Sequence, residues 1–289
     1  MDIALVTRDS LDPDALLKRQ GHKFTHGHAL VVCGGAGRTG AARLSARGAL
    51  RIGAGLVTLA VPPKAMPEVA AQVTAVMVRD MPDAAALAEI LEDQRLTAVC
   101  IGPGLGLGEQ QAELVRTALG SGRAMVLDAD ALTLVAREDA LYAALHRSCV
   151  LTPHDGEFAR LFPKEADRLS APAESGPAYS RLDAAVSAAT AAGCVVLLKG
   201  PDTIIAAPDG RVSIHAAHYE RSAPWLATAG AGDVLAGFIA GLLARGIAPF
   251  EAAEAAAWLH VETALHFGPG LIAEDLPETL PAILRSLGS

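Results

Sequence analysis

The chain has 289 residues, of which 51% are hydrophobic and 19% charged, and its formal net charge is −8. A chain of this length can bury roughly three quarters of its unfolded surface, so one large α/β domain is the default expectation. The negative charge argues against sequence-independent binding to nucleic acid, because such binding needs clustered lysines and arginines.

Two further features concern the compartment in which the protein works. The amino terminus lacks the basic region and apolar run of a secretory signal, and no apolar stretch reaches the roughly 20 residues that cross a bilayer. The four cysteines lie far apart and form no CxxC pair: Cys33, Cys100, Cys149 and Cys194. We therefore predict a cytoplasmic protein without a membrane span, with reduced cysteines in its core.

Short apolar segments alternate with alanine-rich segments of helical periodicity along the first two thirds of the chain. The apolar segments predict strands at 29–33, 56–61, 74–78, 98–101, 124–127 and 194–198. The alanine-rich segments predict helices at 40–52, 83–93, 109–119 and 182–192. Continuous apolarity is typical of strands in a parallel sheet that is covered on both faces. Residues 1–20 are interpreted as an amino-terminal extension or helix, and residues 165–179 as a surface loop.

The pattern changes after the last of these strands. Segments 203–207 and 211–215 flank a Pro-Asp-Gly turn, which predicts a hairpin. Helical periodicity then covers 232–245, 249–267 and 276–287. The whole chain, 1–289, is predicted to form a single three-layer α/β/α domain, with a mostly parallel central sheet and an antiparallel hairpin at its edge.

Two glycine-rich segments follow predicted strands. Residues 35–40 read GAGRTG, but the next strand ends at 61–63 without the acidic residue of a dinucleotide-binding fingerprint. Nor is this a P-loop, because Ala-Ala at 41–42 replaces the lysine and the hydroxyl residue. A ligand contact is favoured there over a simple tight turn. Residues 101–106, IGPGLG, are uninformative alone, since glycine and proline also make ordinary loops.

The strongest chemical signal is AGAGDVLAG at 229–237, directly before a long predicted helix. Gly230, Ala231 and Gly232 can direct successive backbone N–H groups into one concavity, which would form an anion hole for phosphate. Asp233 could simply stabilise the first turn of the helix. A carboxylate beside an anion hole weakens phosphate binding, however, and is better explained as a base that accepts a proton from an attacking hydroxyl.

Further polar residues follow strands, at the edge of the sheet where open α/β proteins bind ligands. His154 is interpreted as a ligand contact and Glu157 as a carboxylate that organises magnesium through water, with purely structural roles as the alternative. Lys199 and Gly200 are well placed for a nucleotide phosphate or ribose, although a lysine at a strand end is often only solvated. Two aspartates also follow a strand, Asp128 and Asp130.

Seven segments, taken in order, resemble the NAD(P)H-hydrate dehydratase family. They are GGAGRTGAA (34–42), GAGLV (53–57), IGPGLG (101–106), LDADAL (127–132), LTPHDGEFARL (151–161), VVLLKGPDT (195–203) and AGAGDVLAGFIAGLLA (229–244). The resemblance runs over roughly residues 21–267, and the ordered set is far more specific than any single motif. It implies a stand-alone dehydratase of ribokinase-like fold, without the epimerase domain that many relatives carry.

The resemblance implies an enzyme that uses ADP or ATP with magnesium and acts on the S-epimer of hydrated NADH or NADPH. By similarity, the hydrated dinucleotide contacts Ala41, Gly104 or Gly106, His154 and Asp233. The adenine nucleotide contacts Lys199, Gly200, Pro201, Asp202, Thr203 and Gly232. The family also implies a homo-oligomer, with a tetramer as the expected form, and it leaves the choice between ADP and ATP open.

In the mechanism that the resemblance implies, Asp233 deprotonates the ring hydroxyl for attack on the terminal phosphate, and the Gly230–Gly232 amides stabilise the charge that develops. Two residues depart from the usual family pattern. Ala231 replaces a hydroxyl residue but keeps its backbone N–H, so the anion hole is expected to survive. Asp155 replaces a proline and is expected to place negative charge next to His154.

Two other functions share parts of this pattern. A ribokinase-like kinase of a small alcohol would contain the same AGAGD loop, but the GGAGRTGAA and IGPGLG segments favour the dehydratase. A non-catalytic nucleotide-binding protein is the other alternative, and the presence of Asp233 and Lys199 argues against it.

Overall fold

The computed structural model describes residues 3–172 and 178–288, and within them ten strands form one sheet. The strands are β1 (Ile3–Leu5), β2 (His28–Val32), β3 (Leu56–Val61), β4 (Met77–Asp80), β5 (Ala98–Ile101), β6 (Ala124–Leu127), β7 (Cys149–Leu151), β8 (Val195–Leu198), β9 (Asp202–Ala206) and β10 (Val212–Ala216). Their order across the sheet is β1-β10-β9-β8-β7-β6-β5-β2-β3-β4.

Helices connect and cover the strands. Those in the first half of the chain are α1 (Pro13–Leu16), α2 (Thr39–Arg51), α3 (Met66–Ala70), α4 (Ala84–Leu91), α5 (Glu109–Gly120), α6 (Asp130–Arg137) and α7 (Asp139–Ala143). Those that follow are α8 (Asp155–Leu161), α9 (Pro163–Ser170), α10 (Arg181–Ala192), α11 (Ala231–Ala244), α12 (Pro249–Phe267) and α13 (Asp275–Leu287). None of the helices in the described part of the chain is long and apolar enough to span a membrane.

The predicted fold class is confirmed. Every neighbouring pair from β7-β8 through to β3-β4 is parallel, whereas β9 pairs antiparallel with both β8 and β10. The short strand β1, which no pattern indicated, adds a parallel partner outside β10. Its side chains are exposed, so backbone pairing holds the strand itself, and the buried side chain of Val6 anchors the residue that follows it.

Two predicted segments differ from the structure. The strand predicted at 74–78 begins only at Met77 and is largely exposed, because β4 is the edge strand and the residues before it form the turn from α3. The predicted surface loop at 165–179 contains most of α9, which starts at Pro163. Proline suits the first position of a helix because its missing N–H would have no partner there. Residues 173–177 of that segment lie outside the described residues.

Two apolar layers cover the sheet. One contains buried side chains from α2, α11, α12 and α13, and the other contains buried side chains from α4, α5, α6, α8 and α10. All four cysteines are buried and free, as predicted. The structure is therefore a three-layer α/β/α sandwich whose parallel strands end at a common edge.

The close packing of α2 against α11 positions the loop that precedes α11. A Cβ atom added to Gly237 would lie 2.2 Å from the carbonyl oxygen of Ser45, and one added to Gly241 would lie 2.2 Å from Cγ2 of Ile52. Only glycine permits this approach of the two backbones. The glycines within AGAGDVLAGFIAGLLA thus have two roles. The first ones form the loop before α11, whereas Gly237 and Gly241 allow α11 to pack closely against α2.

Candidate active site

The predicted ligand-binding segments lie along one edge of the sheet. The loops after β2, β5, β6, β7 and β8 leave the carboxyl ends of adjacent parallel strands. The chain runs outward from β2 to β3 and β4, then returns to place β5 on the other side of β2. Ligands of open α/β sheets bind in the crevice that such a reversal of strand order creates.

The two glycine loops meet at this reversal. A Cβ atom on Gly34 would lie 1.9 Å from the carbonyl oxygen of Gly104, and one on Gly104 would lie 2.7 Å from that of Arg38 and 3.4 Å from Cβ of Ala41. Gly104 has a φ of +65°, a conformation that side chains with a Cβ atom adopt at a cost. The predicted substrate contacts Ala41 and Gly104 are therefore neighbours.

Two carboxylates hold these loops in place. Oε2 of Glu68 accepts a hydrogen bond from the Gly37 N–H at 2.8 Å, and the same carboxylate binds the Thr39 hydroxyl. These hydrogen bonds, the Gly37 contribution first, hold the pKa of Glu68 below its ordinary value. Oδ2 of Asp130 accepts a hydrogen bond from the Gly106 N–H at 2.7 Å. Glu68 lies in a short helix without a recognisable motif, so sequence reasoning missed it.

The predicted anion hole forms the start of α11. Gly230 caps the helix with a φ of +89°, and the Ala231 N–H points back towards the Thr228 carbonyl oxygen at 3.4 Å. Within residues 3–172 and 178–288, the N–H groups of Gly232 and Asp233 donate to no backbone acceptor. A helix amino terminus with free N–H groups carries a partial positive charge and attracts phosphate oxygens.

Gly230 is the position in this loop that is least tolerant of substitution. An added Cβ atom would lie 2.6 Å from Cδ1 of Leu44 and 2.9 Å from Cβ of Ala273, in a left-handed conformation. We expect Gly230→Ala to lower the free energy of unfolding by about 2–4 kcal/mol, from backbone strain and overpacking together. Chemical denaturation measures this. Gly246→Ala is the matched control, because Gly246 has a φ of +86° with open space around it; an equal loss in both variants would contradict the packing argument.

Lys199 lies at the centre of a group of carboxylates. Its Nζ is 2.8 Å from Oδ1 of Asp128 and 3.8 Å from Oε2 of Glu157, and it lies 3.6 Å from the position of a Cβ atom on Gly232. Burial opposes the charged ammonium, but the charges of Asp128 and Glu157 outweigh it and raise the pKa of Lys199. A cation whose side chain is only 21% exposed is thus fixed beside the free amides of α11. Asp128 itself is held by the Thr152 hydroxyl at 2.8 Å.

Asp233 has the properties of a base that works near neutral pH. Burial, followed by the negative charge of Asp128, raises its pKa to about 6, while Lys199 acts in the opposite direction. Its backbone is fixed by Ser45, whose hydroxyl donates to the Asp233 carbonyl oxygen at 2.8 Å. The neighbouring Ala231 carbonyl oxygen lies 2.9 Å from Nε2 of His260. Sequence reasoning missed Ser45 and His260, because both belong to helix faces that look like ordinary core.

His154 caps the helix that carries Glu157. Its Nδ1 accepts from the Gly156 N–H at 3.0 Å, which leaves the ring proton on Nε2, and Oε2 of Glu157 accepts from the His154 N–H at 2.9 Å. The expectation that Asp155 places negative charge next to His154 stays a prediction. The carboxylate of Asp155 pairs with Arg181, which also donates to the Lys199 carbonyl oxygen at 3.0 Å.

The remaining predicted nucleotide contacts lie beside Lys199, at the turn from β8 to β9. The Thr203 hydroxyl donates to the Gly200 carbonyl oxygen at 3.0 Å, and Oδ1 of Asp202 lies 3.2 Å from Nε2 of His218. The Pro201 carbonyl oxygen accepts from the Ala217 N–H at 2.8 Å. These residues therefore lie at the end of the site that is nearer to β10, away from the two glycine loops that follow β2 and β5.

No cluster of three or more His, Cys, Asp or Glu side chains in the described part of the chain could hold a metal ion. Magnesium, however, is commonly bound by one or two carboxylates together with phosphates and water. Asp128 and Glu157 both lie beside Lys199 at the phosphate end of the predicted site and supply hard oxygen donors. The residues present thus fit magnesium held mainly by a nucleotide.

The sheet order, the helix terminus and the charged centre define an α/β protein of the ribokinase-like class. A ribokinase-like superfamily protein from Enterococcus faecalis has this fold, with a TM-score of 0.78 and 23% identity over 96% of this chain and 95% of that chain. A family model described as NAD(P)H-hydrate dehydratase matches residues 29–282. The chain belongs to the NAD(P)H-hydrate dehydratase family, which confirms the resemblance found in the sequence.

Relatives of two lengths match the chain. The bifunctional NAD(P)H-hydrate repair enzyme of Moorella thermoacetica is 40% identical over 92% of this chain and 51% of its own length. The chain thus spans about half the length of several curated relatives that it matches. The ADP-dependent (S)-NAD(P)H-hydrate dehydratase of Xanthomonas campestris is 34% identical over 99% of this chain and 97% of its own length. The ADP/ATP-dependent NAD(P)H-hydrate dehydratase of Bacillus subtilis, co-crystallized with ATP and Mg²⁺, matches with a TM-score of 0.77 and 26% identity over 99% of both chains.

Proposed function

We propose that this chain dehydrates the S-epimer of hydrated NADH or NADPH, with ADP or ATP as phosphate donor and magnesium bound to the nucleotide. The observation that carries the proposal is the position of Asp233, whose raised pKa suits a base, beside free amides and the Lys199 ammonium. The names of the Xanthomonas and Bacillus relatives support the substrate and the donor.

The reaction has two steps. Asp233 removes the proton of the ring hydroxyl as the hydroxyl oxygen attacks the terminal phosphorus of the nucleotide. The bond to the leaving group breaks, which is a nucleoside diphosphate when ATP is the donor and a nucleoside monophosphate when ADP is the donor. The ring then carries a phosphate ester in place of a poor leaving group. The lone pair of the ring nitrogen expels phosphate, and loss of a proton from the adjacent ring carbon restores the reduced nicotinamide.

The chain's own groups stabilise the charge that develops during the first step. The N–H groups of Gly232 and Asp233 have no backbone acceptor, and Nζ of Lys199 lies 3.6 Å from the position of a Cβ atom on Gly232, so all three can donate to the transferred phosphate. Such preorganised donors typically contribute several kcal/mol each to transition-state stabilisation in a water-poor site. Asp128 and Glu157 would help to hold magnesium that is bound to the nucleotide, and the ion would neutralise further phosphate charge.

This mechanism predicts a pH dependence. Only the ionised form of Asp233 can accept the proton, and its pKa lies at about 6. We therefore expect kcat/KM to fall about tenfold per pH unit below 6 and to be level above 7. Initial rates between pH 5 and 8, at saturating nucleotide, measure this fall in kcat/KM at acid pH. A profile that stays level down to pH 5 would contradict the assignment of Asp233 as the base.

The direct test of the proposed function follows the reduced nicotinamide. Purified protein is incubated with the S-epimer of hydrated NADH, magnesium and either ADP or ATP, and the absorbance of the reduced ring is recorded together with phosphate release. Recovery that requires a nucleotide supports the dehydratase and identifies the donor. Transfer of the terminal phosphate of ATP to an added small alcohol, detected as the phosphorylated alcohol and ADP without recovery of the reduced nicotinamide from the hydrate, would instead support a small-alcohol kinase.

We further propose that the chain works as a single domain, as a homo-oligomer and in the cytoplasm. The inclusion of β1 to β10 in one sheet supports the single domain. Exposed apolar side chains, including Leu107, Phe267 and Ile272, support an assembly of copies, for which a tetramer is the expected form. Four free, buried cysteines suit a reducing compartment. Sedimentation velocity measures the oligomeric state.

A further inference from the structure

The surface also contains a large groove beside the candidate active site. A cavity of about 950 Å³ runs between α2, α13 and the segment 72–76 that precedes β4. It is lined along α2 from Gly40 to Arg51, which is about three helical turns. It lies at the β2–β4 side of the fold, opposite the turn between β8 and β9 that carries the predicted nucleotide contacts.

The lining of this groove is positively charged, although the protein as a whole is acidic. Four arginines and a single carboxylate line it, in a chain of net charge −8: Arg43, Arg47, Arg51, Arg285 and Glu274. Basic side chains concentrated in a concave surface attract anionic ligands, because the low-dielectric walls focus their field. The groove is therefore complementary to an anion.

Two of the arginines form no ion pair in the described part of the chain, although the charge of Arg43 acts at longer range on Glu68. Arg47 and Arg51 share the carboxylate of Glu278, at 2.6 Å and 2.5 Å. Arg43 and Arg285 take part in no ion pair within residues 3–172 and 178–288, and Nε of Arg43 is buried without a hydrogen-bond partner. A buried donor without an acceptor costs free energy, and a ligand oxygen would supply the acceptor.

The groove borders the candidate active site. Leu44 lines it, and the same side chain lies 2.6 Å from the position of a Cβ atom on Gly230, the cap of the anion hole. Gly40 lines it as well and directly precedes Ala41, the predicted substrate contact. A ligand whose reacting end lies at Asp233 can thus extend into the groove without crossing the nucleotide contacts.

We propose that this groove binds the adenylate half of the hydrated dinucleotide, with Arg43 and Arg285 donating to its phosphate groups. This assignment rests on the proposed dehydratase function and adds a specificity site to it. Guanidinium groups bind phosphate oxygens through paired, charge-assisted hydrogen bonds. The apolar side chains between the arginines, such as Leu50 and Leu284, provide surface for a base or ribose.

The test compares two substrates that differ only in this half. Hydrated NADPH carries the adenylate, whereas hydrated reduced nicotinamide mononucleotide lacks it. The variant Arg43→Ala/Arg285→Ala is expected to raise KM for hydrated NADPH at least about 100-fold, because two charge-assisted hydrogen bonds to phosphate are lost together. Its KM for the mononucleotide and for ATP should change less than about twofold. Arg137→Ala, an exposed arginine on α6 at the opposite face, is the matched control.

The possible results distinguish a failure of the proposed function from a failure of the groove assignment. A wild-type protein that dehydrates neither substrate overturns the proposed function and this assignment with it. An active wild type, combined with a double variant that alters both KM values equally or neither, overturns the groove assignment alone. Sedimentation velocity on the same variants adds a further check: dissociation of an oligomer without a change in the ratio of the two KM values would show an interface between copies instead. Fluorescence titration with NADPH, which needs no turnover, should show the same loss of affinity.

Discussion

Asp233→Asn is expected to lower kcat by 10²- to 10⁴-fold, the range that general acid–base catalysis contributes. Asparagine has nearly the same size and keeps the backbone that Ser45 and His260 fix at the start of α11. It cannot accept the proton of the ring hydroxyl. Nucleotide binding should persist, because the free amides and Lys199 remain. Single-turnover assays with hydrated NADH measure the loss, and a variant with more than a tenth of wild-type turnover would contradict the role of Asp233 as base.

The same substitution is expected to stabilise the protein at alkaline pH. The pKa of Asp233 is raised from 3.8 to about 6, so the folded state favours the protonated form. The contribution of that protonated form is fully present below 3.8 and is lost as the pH rises through 6. Above pH 7 the folded protein therefore contains an ionised carboxylate at a cost of about 2–3 kcal/mol.

Asparagine removes this cost, although Lys199 loses one favourable neighbour, so a gain of about 1–2 kcal/mol is expected at pH 8. The gain should shrink towards zero as the pH approaches 4. Urea denaturation at several pH values measures both effects. Asp139→Asn, the same chemical change at an exposed position on α7, controls for general effects of net charge. A variant that is less stable than the wild type at pH 8 would show that the carboxylate is favourably paired.

Much of the fold follows from local patterns. β3, β5 and β6 occupy the residues that their apolar runs predict, because a strand buried on both faces must be apolar throughout. The first residue of α11, Ala231, lies one position from the predicted start, because glycine and alanine at the junction indicate a helix terminus with exposed N–H groups. Local sequence thus predicts which elements exist and which of their ends can bind an anion.

Contacts across the site could not be predicted in the same way. Asp128 and Lys199 are 71 residues apart in the sequence. They meet because Asp128 follows β6 and Lys199 follows β8, and these two strands flank β7 in the sheet. No local pattern specifies this strand order. Glu68 holds the first glycine loop from a helix that has no motif. The sequence alone assigns Lys199 to the nucleotide and Asp128 to the strand edge, whereas the structure joins them in one charged centre.

Substitution of Lys199 in that charged centre is expected to lower both turnover and stability. Lys199→Met is expected to lower kcat at least 100-fold, because the transferred phosphate loses a cation that lies beside the amides of α11. It should also destabilise the fold by about 3–5 kcal/mol, since the buried carboxylates of Asp128 and Glu157 lose their counter-charge. The pKa of Asp233 should rise further, because Lys199 normally lowers it, and the acid limb of the pH profile should move to higher pH.

A second substitution separates the structural from the catalytic part of this loss. Asp128→Asn in the Lys199→Met background removes one of the unpaired charges and keeps an acceptor for the Thr152 hydroxyl. We expect the double variant to recover part of the unfolding free energy but none of the turnover, because the phosphate still lacks its cation. Recovery of both together would mean that Lys199 acts only by keeping the site folded. Recovery of stability alone would leave the ammonium as a direct participant in phosphoryl transfer.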